Sequence, residues 1–489
     1  MKKTQSDECQ LLIGGEWVDG ADGTYPVINP ATEAVVGAAP EASAGQAEDA
    51  ARAARDAFAT WSETTPEARA NLLDAAGTAL LARRDEFVPL VIAETGCTAA
   101  VGKSMQVPQA AVRFGRYARG AVEPMMIPLP PQEMAGTPLA PGGVISAIAR
   151  RQPVGVVACI TSYNFPIVNM VGKIAPALAT GNTVVVRPAG QDPLAVIKLV
   201  ALLEEVGFPP GVINIVTGST PVSGEALVAS PDVNMVSFTG SSGVGARIGE
   251  VAGLGMKRQL LELGGKGAAL VLEDADIKNA VGMIGSVWTF HSGQICTAPT
   301  RAIVHRSIYD QVVEGLAKMA TVLKVGDPLA KDTVVGPVIT QSHRDRIEGY
   351  IASGVQEGGE IVAGGGRGGM EQGWYVEPTL IAGCRGGMRV VQEEIFGPVI
   401  VAIPFDDEDE GVALANGTEF GLYDYVFSKD TARAMAISRR MRAGNIGLNT
   451  VQRNQETPFG GTKQSGVGRD GGSFGLHAYT DLQSVVWSS

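Results

Sequence analysis

Cysteine is scarce in this chain. Its 489 residues include five, Cys9, Cys97, Cys159, Cys296 and Cys384, an odd number with no Cys-x-x-Cys spacing. That excludes a disulfide framework and a paired-cysteine zinc site, and points to a reducing, cytoplasmic setting with no bound metal. Long apolar runs are also missing. No stretch of about 18 uncharged apolar residues occurs, so no membrane span is expected. The N-terminal Met1–Glu8 has no apolar core, so no secretory leader is expected. Basic residues are outnumbered, with 39 Lys and Arg against 51 Asp and Glu and a net charge of -12. A phosphate backbone would be repelled, so nucleic acid is not an expected partner.

What is present reads as a folded protein of two or three domains: 45% hydrophobic, 18% charged, with 63 glycines for tight turns and close approaches. Ala-rich spacing predicts a helix over Glu48–Trp61, and another over Glu67–Phe87. Residues Pro124–Gly143, rich in Pro, Met and Gly, interrupt this pattern as either a disordered linker or an extended arm. From Pro153 the pattern alternates between short β-branched runs and helical spacing. Strands are expected at Val154–Ile160, Thr183–Val186, Val212–Val216 and Met235–Phe238, with helices at Phe165–Leu178 and Leu194–Val206. Ala268–Leu272, Val399–Ile403 and Ser484–Trp487 are further strand candidates. Alternation of this kind predicts doubly wound parallel sheets, an α/β fold.

Several residues carry chemical potential. Cys296 follows Ser292-Gly293-Gln294-Ile295. A lone thiol is most often a small buried hydrophobe, but the adjoining Gly293 removes a side chain beside it. A Cys can attack an aldehyde carbon to give a thiohemiacetal. Glu262 ends a strand pattern and precedes Leu263-Gly264-Gly265-Lys266, a place where a carboxylate can activate water. Asn164, after Ile160-Thr161-Ser162-Tyr163 and before Phe165-Pro166, is either a turn residue or an amide donor. Phe238-Thr239-Gly240-Ser241-Ser242-Gly243-Val244-Gly245 joins a strand to a helix, where N–H groups can hold a pyrophosphate; a glycine turn alone is weak evidence.

Glu-Leu-Gly-Gly-Lys followed by Gly-Gln-x-Cys resembles the aldehyde dehydrogenase superfamily. So do Phe-Thr-Gly-Ser before a helix, Glu394-Ile395-Phe396-Gly397-Pro398, and Pro458-Phe459-Gly460-Gly461-x-Lys463-x-Ser465-Gly466-x-Gly468-Arg469. The N-terminal Ile13–Val18 and Asn29–Thr32 fit as well, so the resemblance spans nearly the whole chain in the family's order.

That resemblance implies two Rossmann-like doubly wound domains and a small β oligomerisation arm. The cofactor-binding domain would comprise 1–123 and 147–262, and the catalytic domain 263–445. Residues 124–146 and 470–489 would form the arm of a homodimer or homotetramer, and 446–469 a substrate-tunnel and returning segment. Cys296 would be the nucleophile, Glu262 the deacylating base, Asn164 the oxyanion donor, and Lys173 an organiser of the base and its proton path. A carboxylate at Glu262 implies release of a free acid over transfer to coenzyme A.

NAD or NADP would lie against Ile160, Thr161, Arg187, Gly190, Gly240, Ser241, Gly245, Leu263, Glu394 and Phe396. Family members often carry Lys-Pro-Ser-Glu where this chain has Arg187-Pro188-Ala189-Gly190. Loss of that Glu and gain of an Arg predict that NADP is accepted, alone or alongside NAD. Tyr163, Phe165, Ile295, Thr297, Arg453 and Phe459 would line the substrate site, suiting an aromatic aldehyde. Arg453 alternatively binds the carboxylate of a semialdehyde, or is a solvated loop residue. Asp470 relays a proton or caps a loop. A catalytically silent homologue, or a Cys hydrolase without cofactor, is the reading that Cys296, Glu262, Asn164 and the Gly240 turn oppose.

Overall fold

Short β-branched runs bounded by turns form the centre of an eight-stranded sheet in the computed structural model, which describes residues 9–488. Met1–Glu8, where no leader is expected, lies outside the described residues, as does Ser489. The strand order is Gly466–Val467, Arg258–Glu262, Met235–Thr239, Val156–Ile160, Thr183–Arg187, Ile213–Ile215, Leu11–Ile13 and Glu16–Val18. The five strands from Arg258–Glu262 to Ile213–Ile215 run parallel, and antiparallel strands close both edges.

Side chains alternate between the two faces, as period-two geometry requires. Val157 and Cys159 enter one core with helices Pro166–Ala179 and Leu194–Val206. Val156, Ala158 and Ile160 enter another with Ala44–Trp61 and Ser242–Leu254. The sheet is therefore covered on both faces, and its strands read as continuous apolar runs.

A second sheet has seven strands, ordered Glu360–Ala363, Thr379–Ala382, Val399–Phe405, Arg301–His305, Ala268–Val271, Tyr423–Phe427 and Asn445–Leu448. All but Glu360–Ala363 are parallel to their neighbours, and apolar cores again lie on both faces. A third sheet joins Thr480–Ser488, Gly143–Pro153 and Met126–Met134. Among the described residues no helix is long and apolar enough to cross a membrane.

Some boundaries move. The helix expected over Glu67–Phe87 is two, Pro66–Ala82 and Arg84–Thr95, broken at Arg83. Residues 126–134 are a paired strand, so the linker reading does not hold. The strand Gly143–Pro153 crosses the expected 146/147 boundary, and Asn445–Leu448 crosses 445/446. In the C-terminal piece only Thr480–Ser488 joins the arm, whereas helix Gly472–Ala478 packs its buried Leu476 into the first domain's core. Ser484–Trp487 lies within that longer strand and pairs inside its own chain.

Candidate active site

The strand order of the first sheet reverses between Val156–Ile160 and Met235–Thr239, which opens a crevice at the carboxyl ends of the strands. Asn164, Gly240 and Glu262 all sit at those ends. The second sheet contributes the Cys296 turn. Helix Ile277–Trp288 stops at Thr289, and His291, Ser292 and Gly293 then take φ of 49°, 56° and 71°. Two of these are not glycine, so the left-handed run is strained and must be held from outside.

Hydrogen bonds and contacts supply that hold. The Ser292 hydroxyl donates to the Gly336 carbonyl at 2.7 Å. The Gln294 amide accepts from the Ile339 N–H at 3.0 Å and donates to the His291 carbonyl at 3.2 Å. Gly293 is required twice, by its φ and by space: a Cβ there would lie 2.2 Å from the Gly397 oxygen. Gly265 is required by close approach, since its Cβ would lie 2.3 Å from the Cys296 carbonyl oxygen. The Glu-Leu-Gly-Gly segment, the Cys turn and the Gly397-Pro398 turn thus press on one another.

Asn164 ties the two sheets together. Its side-chain N–H donates to the Gln294 carbonyl at 2.8 Å, and its oxygen accepts from the Ser162 hydroxyl at 2.9 Å. The amide carries a second N–H. Glu262 is 5% exposed, and neither carboxylate oxygen has a hydrogen-bond partner among the described residues. Burial lifts its pKa well above the carboxylate range. Asp470 adds to the rise, while Lys173, Arg453 and Arg469 oppose it. Cys296 is half-buried. Burial, then the carboxylates of Glu394 and Glu262, push its thiol up to about 12, against the pull of Arg453.

Lys173 is buried and donates to the Ser237 hydroxyl at 3.2 Å, which in turn shares a 2.8 Å hydrogen bond with the Tyr479 hydroxyl. Burial lowers its pKa, while Asp470 and Glu262 raise it.

Ile160 ends the central strand and Thr161 follows it, and the buried Thr161 hydroxyl has no hydrogen-bond partner among the described residues. Gly240 follows the Met235–Thr239 strand, and Ser241 caps the Ser242–Leu254 helix by accepting from the Val244 N–H at 3.4 Å. Gly245 on that helix packs against Leu263. Glu394 accepts from the Gly265 N–H at 2.8 Å, and burial raises its pKa to about 7. Phe396, at φ 59°, meets Tyr163 edge-on at 5.9 Å.

Arg187 is not free. Its guanidinium donates to the carbonyls of Pro188 at 3.3 Å, Gly218 at 3.2 Å and Thr220 at 2.7 Å. Gly190 faces the same loop, with its Cβ position 2.7 Å from the Gly218 oxygen.

The expected substrate residues divide into groups. Tyr163 lies with Phe396 and His343, and the Phe165 ring is 5.3 Å from that of His291. Ile295 packs against the first domain's core, and the Thr297 carbonyl accepts from the Tyr425 hydroxyl at 2.8 Å. Arg453 places its guanidinium carbon 3.6 Å from the Phe459 ring centroid. Phe459 and Asp470 exchange backbone hydrogen bonds of 2.7 and 2.6 Å.

Three features escape the sequence reading. Gln294 is fully buried and braces the Cys turn. Lys266 is buried with an unpartnered amine among the described residues; burial and Arg301 lower its pKa to about 7, while Glu394 acts the other way. Arg113 donates to the Val168 carbonyl at 2.8 Å beside Gly172. Lys266 lies within the Glu-Leu-Gly-Gly-Lys motif and was open to notice, whereas no motif marks Arg113.

Comparison with known proteins decides the family. The profile of the aldehyde dehydrogenase family matches residues 17–485. The chain belongs to the aldehyde dehydrogenase family. This aldehyde dehydrogenase is 37% identical to phenylacetaldehyde dehydrogenase of Pseudomonas fluorescens, over 98% of this chain and 95% of that relative. It is 37% identical to aldehyde dehydrogenase 1A1 of Rattus norvegicus, over 98% and 94%. The solved structure of betaine aldehyde dehydrogenase from Staphylococcus aureus in complex with NAD+ superposes with a TM-score of 0.92 at 34% identity, over 98% of this chain and 95% of that one. The enzyme thus has the aldehyde dehydrogenase fold, with its two α/β sheets.

Proposed function

We propose that this enzyme oxidises an aldehyde to the free carboxylic acid with NAD or NADP, through a covalent intermediate on Cys296 that is hydrolysed with Glu262 as base. The observation that carries the reading is convergence. Asn164 from the first sheet bonds the turn that presents Cys296, while the buried Glu262 carboxylate, which acts on Cys296, has no hydrogen-bond partner among the described residues. Leaving a carboxylate buried and unmet is costly and is tolerated where the group has work to do.

In this reading Cys296 loses its proton and its sulfur bonds the aldehyde carbon. The oxyanion meets the second Asn164 N–H and the Cys296 backbone N–H. A nicotinamide held beside Glu394 and Phe396 would accept the hydride that leaves the former aldehyde carbon, and a thioester would remain on Cys296. Glu262 then takes a proton from water, the new C–O bond forms, the C–S bond breaks, and the acid leaves. Lys173, held by Ser237, places its amine where it acts on Glu262.

The residues present fit a dinucleotide. The Ser242–Leu254 helix offers its N-terminus at the strand reversal, with Gly240, Ser241 and Gly245 at its start. The orphaned Thr161 hydroxyl and Ile160 lie at the same edge, Leu263 backs the helix, and Glu394 is set to receive a ribose, with Phe396 beside it. The NAD+ complex of the Staphylococcus aureus relative supports this cofactor class. The exposed Leu482, Val486 and Trp487 on the third sheet support an arm that pairs copies of the chain in a homo-oligomer.

On the substrate side, Arg453 covers one face of Phe459, while Tyr163 and Phe165 lie with other rings. This arrangement favours an aldehyde with a polar far end over an aromatic one. The test is the near-ultraviolet absorbance of reduced nicotinamide on mixing enzyme, aldehyde and NAD or NADP. Aldehyde-dependent reduction that disappears in Cys296→Ala is expected. Reduction that survives in Cys296→Ala would remove the mechanism.

A further inference from the structure

We infer that the aldehyde substrate carries a carboxylate at its far end, and that the guanidinium groups of Arg113 and Arg453 together bind it. This rests on the proposed dehydrogenase reading and extends it to a substrate class.

Arg453 makes no hydrogen bond and no ion pair among the described residues; its only contact of that kind is the Phe459 ring at 3.6 Å. Arg453 is exposed, and its donors meet no acceptor among the described residues. Arg113, on helix Val107–Ala121, is half-buried and donates one N–H to the Val168 carbonyl at 2.8 Å. It too has no ion pair among the described residues. Its guanidinium lies against Gly172, next to Lys173 on helix Pro166–Ala179.

The two arginines reach the same place from different elements. The Phe459 backbone pairs with that of Asp470, and the Asp470 carboxylate lies 3.8 Å from the Cβ position of Gly172, where Arg113 packs. Arg113 and Arg453 bear electrostatically on each other, and Arg453 also on Cys296 and Asp470. The charged groups that act on this site are Arg113, Arg453, Lys173 and Arg469 and the carboxylates Glu262, Glu394 and Asp470. Asp470 is already engaged, accepting from the Gly471 N–H at 2.7 Å and the Tyr117 hydroxyl at 3.5 Å.

The two guanidinium groups repel each other, and Asp470, though near, makes no ion pair with either among the described residues. A carboxylate relieves that repulsion and matches the planar fork of each. An uncharged alkanal leaves both forks unmet, and an aldehyde bearing an ammonium group adds to the repulsion. The carboxylate sits at the far end because the near end must reach Cys296.

The test compares oxo acids with alkanals of equal length, 4-oxobutanoate, 5-oxopentanoate and 6-oxohexanoate against butanal, pentanal and hexanal. Wild type, Arg113→Ala, Arg453→Ala and Arg453→Lys are each measured. Wild type is expected to favour at least one oxo acid by about tenfold or more in kcat/KM, through KM, and less so as salt rises. Both alanine variants should lose that preference, and Arg453→Lys should restore part of it. Equal or better rates with alkanals throughout the series, or a preference untouched in both alanine variants, would overturn the inference.

A second measurement does not need turnover: protection of Cys296 from iodoacetamide by glutarate. Protection in wild type that is lost in both alanine variants supports the carboxylate site, and absence of protection in wild type counts against it. If no aldehyde of either kind is oxidised by wild type, it is the dehydrogenase reading that fails, and glutarate protection alone decides the inference.

Discussion

The Asn164 side-chain N–H donates to the carbonyl of Gln294, two residues before Cys296, at 2.8 Å. One bond thus sets the Cys turn of the second sheet against the loop that leaves the first. It also fixes the amide plane, so the remaining N–H has one direction to serve. Asn164→Ala is expected to lower kcat by roughly 10²–10³, the equivalent of about 2.7–4 kcal/mol for one oxyanion donor. Steady-state kinetics decide, and a loss confined to KM would contradict the assignment.

Gly293 sits at φ 71°, with the Gly397 carbonyl where a side chain would go. Gly293→Ala combines a left-handed backbone penalty of about 1–3 kcal/mol with a steric overlap. Thermal unfolding should fall by several degrees, and activity should fall with it as the Cys turn is displaced. A variant that melts and turns over like wild type would show that the turn relaxes freely.

The pH dependence of Cys296 follows from its surroundings. Burial first, then Glu394 and Glu262, raise its thiol to about 12, and only the thiolate reacts. In enzyme without ligand, alkylation by iodoacetamide should therefore climb by roughly tenfold per pH unit from about pH 7 to 9, without a plateau. Glu262 is also raised, and in the proposed mechanism hydrolysis needs its ionised form, so hydrolysis is expected to gain with pH in the same direction. A plateau in alkylation near neutral pH would contradict the buried, carboxylate-flanked thiol.

Cofactor choice is expected to turn on Arg187. Both terminal nitrogens of its guanidinium donate to carbonyls of 188, 218 and 220, and Glu41 is bonded to Ser219 of the same loop at 2.9 Å. A 2′-phosphate would meet an occupied fork and a nearby carboxylate. NADP is thus expected to be used, but with NAD favoured by about tenfold or more in kcat/KM. Equal use of both, with NADP use lost in Arg187→Ala, would show that the guanidinium leaves its carbonyls for the phosphate.

Much of this arrangement is legible in the amino-acid sequence. The central strands announce themselves as β-branched runs because both faces of each sheet are covered. Cys296, Glu262 and Asn164 lie in short motifs whose glycines have local reasons: Gly265 yields to the Cys296 carbonyl and Gly293 to Gly397. Other features leave no such trace. The break at Arg83 falls inside continuous helical spacing. The Met126–Met134 strand is exposed throughout, so no apolar alternation marks it. The left-handed turn at His291 and Ser292 is held by tertiary hydrogen bonds of Ser292 to Gly336 and of Gln294 to Ile339, not by the residues' own preference. Arg113 shares its helix with Arg116 and Arg119, and only the fold separates the one beside Gly172 from the one paired with Glu123 and Glu456.

The most direct test of the mechanism is the mass of Glu262→Gln after reaction with an accepted aldehyde and NAD. Reduction of about one cofactor per subunit should be followed by a stall, with an acyl group found on the peptide that contains Cys296. Continuous turnover without an adduct, or an acyl group on another residue, would contradict the roles given to Cys296 and Glu262.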